Sequence, residues 1–418
     1  MHDSDLLREL AERGYVYQCT DVGKLGQLLE EECVVGYVGF DCTAKSLHVG
    51  NLMQIMIMRV LQKHGHKPLV LLGGATTGIG DPSGRDETRQ MLTLEDIERN
   101  KQSILSNIQK FLDFTPLIDN SATIVDNTDW LAEIKYLEFL ENYGRCFSVN
   151  RMLGFDSVRL RLEREQALTF LEFNYMLLQA YDFVELYRRY GCKLQFGGSE
   201  QWGNIVSGID LARKIEGAEL FGITTPLITT SSGAKMGKSV KGAVWLNNEM
   251  LSPYEYWQFW RNTDDADVIR FLKLYTDLPI SEIERLAKLE GQEVNEAKIV
   301  LADEATALCH GEAAAVSARQ TAQQVFYDGT IEGADLPRYN VSREALDSGI
   351  PLYKLLVLSR LSISGNEAKK LIQSDGVRVN NQILTNDVSI IINKQHLSEN
   401  YMIKLSVGKK RHALIVVD

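Results

Sequence analysis

VVGYVGF, residues 34 to 40, is a short apolar run; Asn51 to His64 follows with helical spacing up to Gly65, and Pro68 to Gly73 is a second apolar run. Run, helix and run make a βαβ unit. Two parallel strands need a crossover of at least a dozen residues, and that crossover is right-handed, so the unit predicts a parallel sheet with helices on its faces. Working outward, strands are predicted at Thr123 to Asp126, Lys193 to Gly198 and Ile223 to Thr229, with a mainly helical, aromatic-containing insertion between about 130 and 190. From Ser252 to about residue 345 helical periodicity dominates with little strand signal. Beyond a linker at Pro337 to Ser348, strand-like stretches recur at Val377 to Val379, Met402 to Val407 and His412 to Val417.

Composition bounds the class. Of 418 residues 44% are hydrophobic and 24% charged, values of a globular chain, and the length calls for one large domain with smaller ones beside it. No apolar run is long enough to span a bilayer. Met1 to Gly14 reads as an amphipathic helix with Leu6, Leu7 and Leu10 inward, unlike a signal or transit peptide, so a cytoplasmic location is expected. The six cysteines stand singly, without CxxC or adjacent histidines, and predict reduced thiols and no metal site. A net charge of −11 argues against general nucleic-acid binding. Yet Pro351 to Asp418 carries ten Lys/Arg against five Asp/Glu, a basic tail suited to a polyanion; a solvated basic face would look the same.

Gly73 to Gly84 (GGATTGIGDPSG) follows a strand, but Ser83 stands where a dinucleotide fingerprint needs its third glycine, and no Gly-Lys-Ser/Thr closes a P-loop. The informative stretch comes earlier, where Tyr37-Val-Gly39-Phe-Asp41-Cys-Thr43 leads through a loop to His48-Val-Gly50-Asn51 at a helix start. Helix N-termini bind phosphate through free N–H groups and the dipole, and Gly50 admits a ligand close to the backbone. Downstream, Lys235-Met-Gly237-Lys238-Ser239 places two ammonium groups three residues apart on a loop, able to neutralise negative charge brought close to it. His48 to Asn51 resembles the HIGH motif, and Lys235 to Ser239 the KMSKS loop, of class I aminoacyl-tRNA synthetases. Asn51 replaces the final histidine of the first and Gly237 the middle serine of the second.

This resemblance implies a Rossmann-like catalytic domain with ATP as substrate, accompanied by Mg2+. Gly39, Asp41, His48, Gly50, Gly198, Glu200, Lys235 and Lys238 would bind ATP, with Thr43, His48, Asn51, Lys235, Lys238 and Ser239 serving the transition state. Tyr175, Gln179 and Asp182 fall at i, i+4 and i+7 of one helix face, and Tyr175-Met-Leu-Leu-Gln179-Ala-Tyr-Asp182 resembles the substrate helix of bacterial tyrosyl-tRNA synthetases. That likeness implies that Asp182 and Tyr37 bond the substrate phenol, that Tyr175, Gln179 and Asp81 hold its amino group, and that Gln201 lies near its carboxylate.

Ser364 to Ile372 with Gly376 to Asn380 resembles an S4-like RNA-binding module, so Lys369, Lys370, Arg378, Lys409, Lys410 and Arg411 are expected to grip tRNA(Tyr) phosphates. The expected domains are 1–245, catalytic, with a dimer-forming insertion; 246–340, α-helical; and 341–418, S4-like α+β. The expected partners are tyrosine, ATP, tRNA(Tyr) and a second copy in a homodimer, with no membrane. A tryptophanyl-tRNA synthetase and a noncatalytic RNA-binding protein on the same fold are the rivals, and a nicotinamide dehydrogenase fails on glycine spacing.

Overall fold

The computed structural model describes residues 4–83, 92–231, 233, 236–239, 242–327, 336–384, 386–398, 401–408 and 411–417. The chain divides into two compact units, Met1–Met236 with Ile269–Lys288, and Gly237–Val268 with Leu289–Asp418.

In the first unit α1 (Asp5–Arg13), the edge strand β1 (Gln18–Cys19) and α2 (Val22–Glu31) precede the predicted βαβ unit, which is β2 (Val35–Asp41), α3 (Val49–Lys63) and β3 (Lys67–Gly73). After α4 (Leu94–Ile108) come β4 (Thr123–Asp126), β5 (Cys192–Gly198) and β6 (Phe221–Thr225). The last is shorter than Ile223 to Thr229 and shifted back, because Phe221 and Gly222 pair with Leu194 and Gln195 of β5. The sheet order is β1-β6-β5-β2-β3-β4, parallel throughout except for antiparallel β1. Sequence order therefore reverses beside β2, with β3 and β4 on one side and β5 and β6 on the other. Ligands of doubly wound sheets bind at the carboxyl ends of the strands at such a reversal.

The insertion is helical, as its pattern predicts: α5 (Thr128–Leu131), α6 (Tyr136–Asn142), α7 (Val149–Leu153), α8 (Asp156–Glu163) and the long α9 (Phe170–Tyr190). A capping box between Thr169 and Glu172 starts α9, and Gly191, at φ 64°, ends it. Glu172 also pairs with the buried Arg161 at 3.1 Å. α9 buries Met176, Ala180 and Phe183 in one core with Tyr37, Leu69 and Leu71 of the sheet, and Ala180 and Phe183 also lie against α10 (Trp202–Glu216), where a Cβ on Gly208 would stand 3.1 Å from Phe183.

In the second unit the helices Pro253–Arg261, Val294–His310 and Glu312–Tyr327 pack together, and Trp257 Nε1 donates to Asp303 at 2.7 Å. The helical pattern read up to about residue 345 includes a strand. Arg338–Val341 runs parallel to Arg411–Val417 and completes a four-stranded sheet with Met402–Val407 and Val377–Val379. Four residues with alternate exposure are too short to outweigh their helical surroundings in a sequence pattern. The helix Gly365–Gln373 covers this sheet through Ala368 and Ile372.

Candidate active site

The site is built where β2 ends and α3 begins. His48 is the N-cap of α3: its Nδ1 accepts from Gly50 N at 3.0 Å, and Asn51 Oδ1 accepts from His48 N at 3.1 Å. Asn51, the departure from the family motif, thus closes a capping box, which the family histidine would not do in the same way. Gly50 is required by space, since a Cβ there would lie 2.7 Å from the His48 ring and 3.0 Å from the Met236 carbonyl oxygen. The loop before it is braced from α4. Asn100 Nδ2 donates to Cys42 O at 2.9 Å, and Asn107 Oδ1 accepts from Ser46 Oγ and Leu47 N. Thr43 sits half-buried in this braced loop.

Deeper in, side chains from three strand ends and α9 form one polar chain. Tyr175 Oη donates to Asp41 Oδ1 at 3.1 Å, and Thr76 Oγ1 donates to the same oxygen at 3.2 Å. Asn127 Nδ2 bridges Thr76 Oγ1 (2.9 Å) and Asp182 Oδ2 (3.0 Å), while Trp130 Nε1 donates to Asp182 Oδ1 at 2.7 Å. Burial pushes the Asp182 carboxyl up to about 7 against those two donors, which favour its ionised form; Asp41 and Asp126 push it further up. Tyr37 is buried beside it, its ring 5.1 Å from Phe183, and its hydroxyl has no hydrogen-bond partner. Burial, aided by the Asp182 charge, holds that hydroxyl well above its ordinary titration range, so it stays a donor.

A second chain lies alongside. Gln201 Nε2 donates to Asp81 Oδ2 at 2.8 Å, Gln179 Nε2 to Gln201 Oε1 at 3.2 Å, and Asn204 Nδ2 to both glutamines. The carboxyl end of β5 adds Gly198, where a Cβ would meet the Glu200 carboxylate at 2.4 Å. Gly39 is exposed near the end of β2.

Of the residues singled out in the sequence, Tyr37, Asp41, Tyr175 and Asp182 are brought into one cluster, and Asp81, Gln179 and Gln201 into another. Lys235, Lys409 and Lys410 lie outside the described residues. Lys238 and Ser239 form a two-residue strand paired with Gly242–Ala243, and their side chains lie outside the described ones. In the tail Lys369 Nζ stands 4.8 Å from the Tyr353 ring centroid, Arg378 is exposed, and Arg411 Nη1 donates to Leu361 O at 3.0 Å. Sequence reasoning missed Thr76, Asn127, Trp130 and Asn204. Asn127-Thr-Asp-Trp130 directly follows a parallel strand, and that position was the available signal.

Residues 30–327 match the family described as tRNA synthetases class I (W and Y), and the chain belongs to it. A tyrosine–tRNA ligase of Xanthobacter autotrophicus is 55% identical over 412 residues, covering 99% of this chain and 98% of its own. One from Rhodospirillum rubrum is 54% identical with the same coverage. Among solved structures, a C-terminally truncated mitochondrial tyrosyl-tRNA synthetase of Aspergillus nidulans matches with a TM-score of 0.70 at 31% identity, covering 77% of this chain and 94% of that one.

Proposed function

We propose that the chain is a tyrosine–tRNA ligase whose phenol end is Asp182 with Tyr37. The observation that carries this reading is a buried carboxylate pinned by Asn127 and Trp130 beside a buried hydroxyl without a partner. The carboxylate accepts the substrate's phenolic O–H, and the Tyr37 O–H meets the substrate oxygen. An indole fits this pair poorly, since its N–H offers a donor but no acceptor for Tyr37.

In the first step a carboxylate oxygen of tyrosine attacks the α-phosphorus of ATP, the bond to the bridging oxygen breaks, and pyrophosphate leaves. In the second, a hydroxyl of the terminal adenosine of tRNA(Tyr) attacks the acyl carbon and AMP leaves. No side chain becomes covalently attached. The protein orients and neutralises: Asp81, Tyr175 and Gln179 hold the amino group, and Gln201 lies near the carboxylate. Gly39, Asp41, Gly50, Gly198 and Glu200 receive ATP. Thr43, His48, Asn51, Lys235, Lys238 and Ser239 meet the charge that builds on its phosphates. Mg2+ arrives on the triphosphate as part of the substrate. Among the described residues no group of three His, Cys, Asp or Glu could hold a metal ion.

Lys369, Lys370, Arg378, Lys409, Lys410 and Arg411 take tRNA phosphates. The exposed apolar residues Leu137, Val149, Leu153, Phe170 and Leu171 of the insertion support its use as the face of a homodimer. No helix of the described residues is long and apolar enough to cross a membrane, and we place the enzyme in the cytoplasm. Pyrophosphate exchange with each amino acid offered singly tests the reading. Exchange with tyrosine is expected; exchange with tryptophan alone, or none with any amino acid, would overturn it.

A further inference from the structure

The core-facing stripe of α4 carries two asparagines among isoleucines. Ile97, Asn100, Ile104, Asn107 and Ile108 are all buried, Asn107 completely, at 0% exposure. Taking an amide out of water costs free energy unless hydrogen bonds inside the fold replace those it loses. Here the replacements lie on the segment that leads from β2 to α3. Asn100 Nδ2 donates to Cys42 O at 2.9 Å and Ser103 Oγ donates to Lys45 O. Asn107 Oδ1 accepts from Leu47 N at 3.0 Å and from Ser46 Oγ at 2.8 Å. Positions 100, 103 and 107 stand at i, i+3 and i+7, so one line along the helix takes main-chain groups of residues 42, 45 and 47 in order.

The last of these contacts comes nearest to the site. Leu47 precedes His48 and is fixed at three points. Its side chain is buried, its N–H is held by Asn107, and its carbonyl shares the Ser46 O–H with Asn107 Oδ1, at 2.7 Å. His48 follows as the N-cap of α3, with its Nδ1 on Gly50 N. Because Nδ1 accepts, the proton of the neutral imidazole is on Nε2, which makes Nε2 the ring's donor. Asn107 engages through one atom: its Nδ2 has no partner among the described residues, so its contacts are those of the carbonyl.

We propose that Asn107 is a positioning residue for adenylate formation, setting through Leu47 the place of the His48 ring against the phosphates of ATP; this rests on the reading of His48 above. A donor that must meet charge as it forms works only from a fixed place, and a displacement on the order of 1 Å can cost about a hundredfold in rate. Tyrosine is held elsewhere in the proposed site, by Asp81, Tyr175, Gln179 and Asp182. Loss of Asn107 therefore falls on the rate and spares tyrosine binding.

The test is Asn107→Leu, close in volume but without the acceptor, read by pyrophosphate exchange. kcat is expected to fall about tenfold with the KM values for tyrosine and ATP little changed, the pattern of an interaction made only in the transition state. In a His48→Gly background, where glycine still suits the cap, the same change should have no further effect. An unchanged kcat, a loss carried by a raised KM for tyrosine, or losses that add in the double variant would each overturn the proposal. So would a lower midpoint in urea unfolding with kcat unmoved, which would assign Asn107 to stability alone. If the leucine variant does not fold, Asn107→Ala serves the same cycle. His48→Gly is the control: an unchanged kcat there sinks the reading of His48, whereas a slow His48→Gly beside an unmoved Asn107→Leu sinks only the role of Asn107.

Discussion

In the proposed reading specificity turns on Asp182, and its ionisation should then be legible in activity. Its carboxyl is raised to about 7 in the fold, whereas an unfolded aspartate titrates near 4. The native state thus holds the proton more tightly between about pH 4 and pH 7, and Asp182 lowers stability as pH rises through that window. In the proposed pocket binding runs the other way, because it is the ionised carboxylate that would accept the phenolic O–H. For the free enzyme, kcat/KM for tyrosine should rise with pH through about 7 and then level off. Asn127→Ala removes a donor that favours the anion, so the midpoint of that profile should move to higher pH, with kcat/KM at neutral pH reduced about tenfold. A profile that stays in place would show that Asn127 does not set the ionisation. Asp182→Asn should abolish the pH step and leave phenylalanine kinetics nearly unchanged.

At the scale of elements, α9 carries Tyr175, Gln179 and Asp182 of the proposed pocket, and a capping box holds its beginning. Thr169→Ala removes the cap that accepts from Glu172 N and should cost about 1 kcal/mol, read as a lower midpoint in urea unfolding. Glu172→Ala should cost more, because Arg161 is buried and would lose its carboxylate. The sequence made α9 and the β2–α3–β3 unit readable because each is long or strongly periodic, and it made Tyr175, Gln179 and Asp182 readable because they share one helix face. Asn127 and Trp130 were not readable: they reach Asp182 from a different strand end, and nothing in local spacing brings together residues 52 to 55 positions apart. The strand Arg338–Val341 escaped because the strand it pairs with, Arg411–Val417, lies at the far end of the chain.

For the whole molecule, the two halves of the reaction should separate. Lys369→Glu with Lys370→Glu is expected to leave tyrosine-dependent pyrophosphate exchange unchanged. Aminoacylation should weaken roughly tenfold or more, and its dependence on salt should become shallower by about one unit of log–log slope for each phosphate no longer gripped. Equal losses in both assays would argue against the tail as the tRNA-binding surface. The first unit is itself discontinuous, and its two pieces are fastened near the amino terminus. Arg13, almost fully buried at the end of α1, donates to the carbonyls of Lys273, Thr276 and Leu278, and Tyr15 Oη donates to Leu274 O. This knot makes the opening helix and the returning segment 269–288 one cooperative unit of opening. Their amides should exchange with deuterium at a common rate, and Arg13→Ala should release both together while the central strands keep their protection.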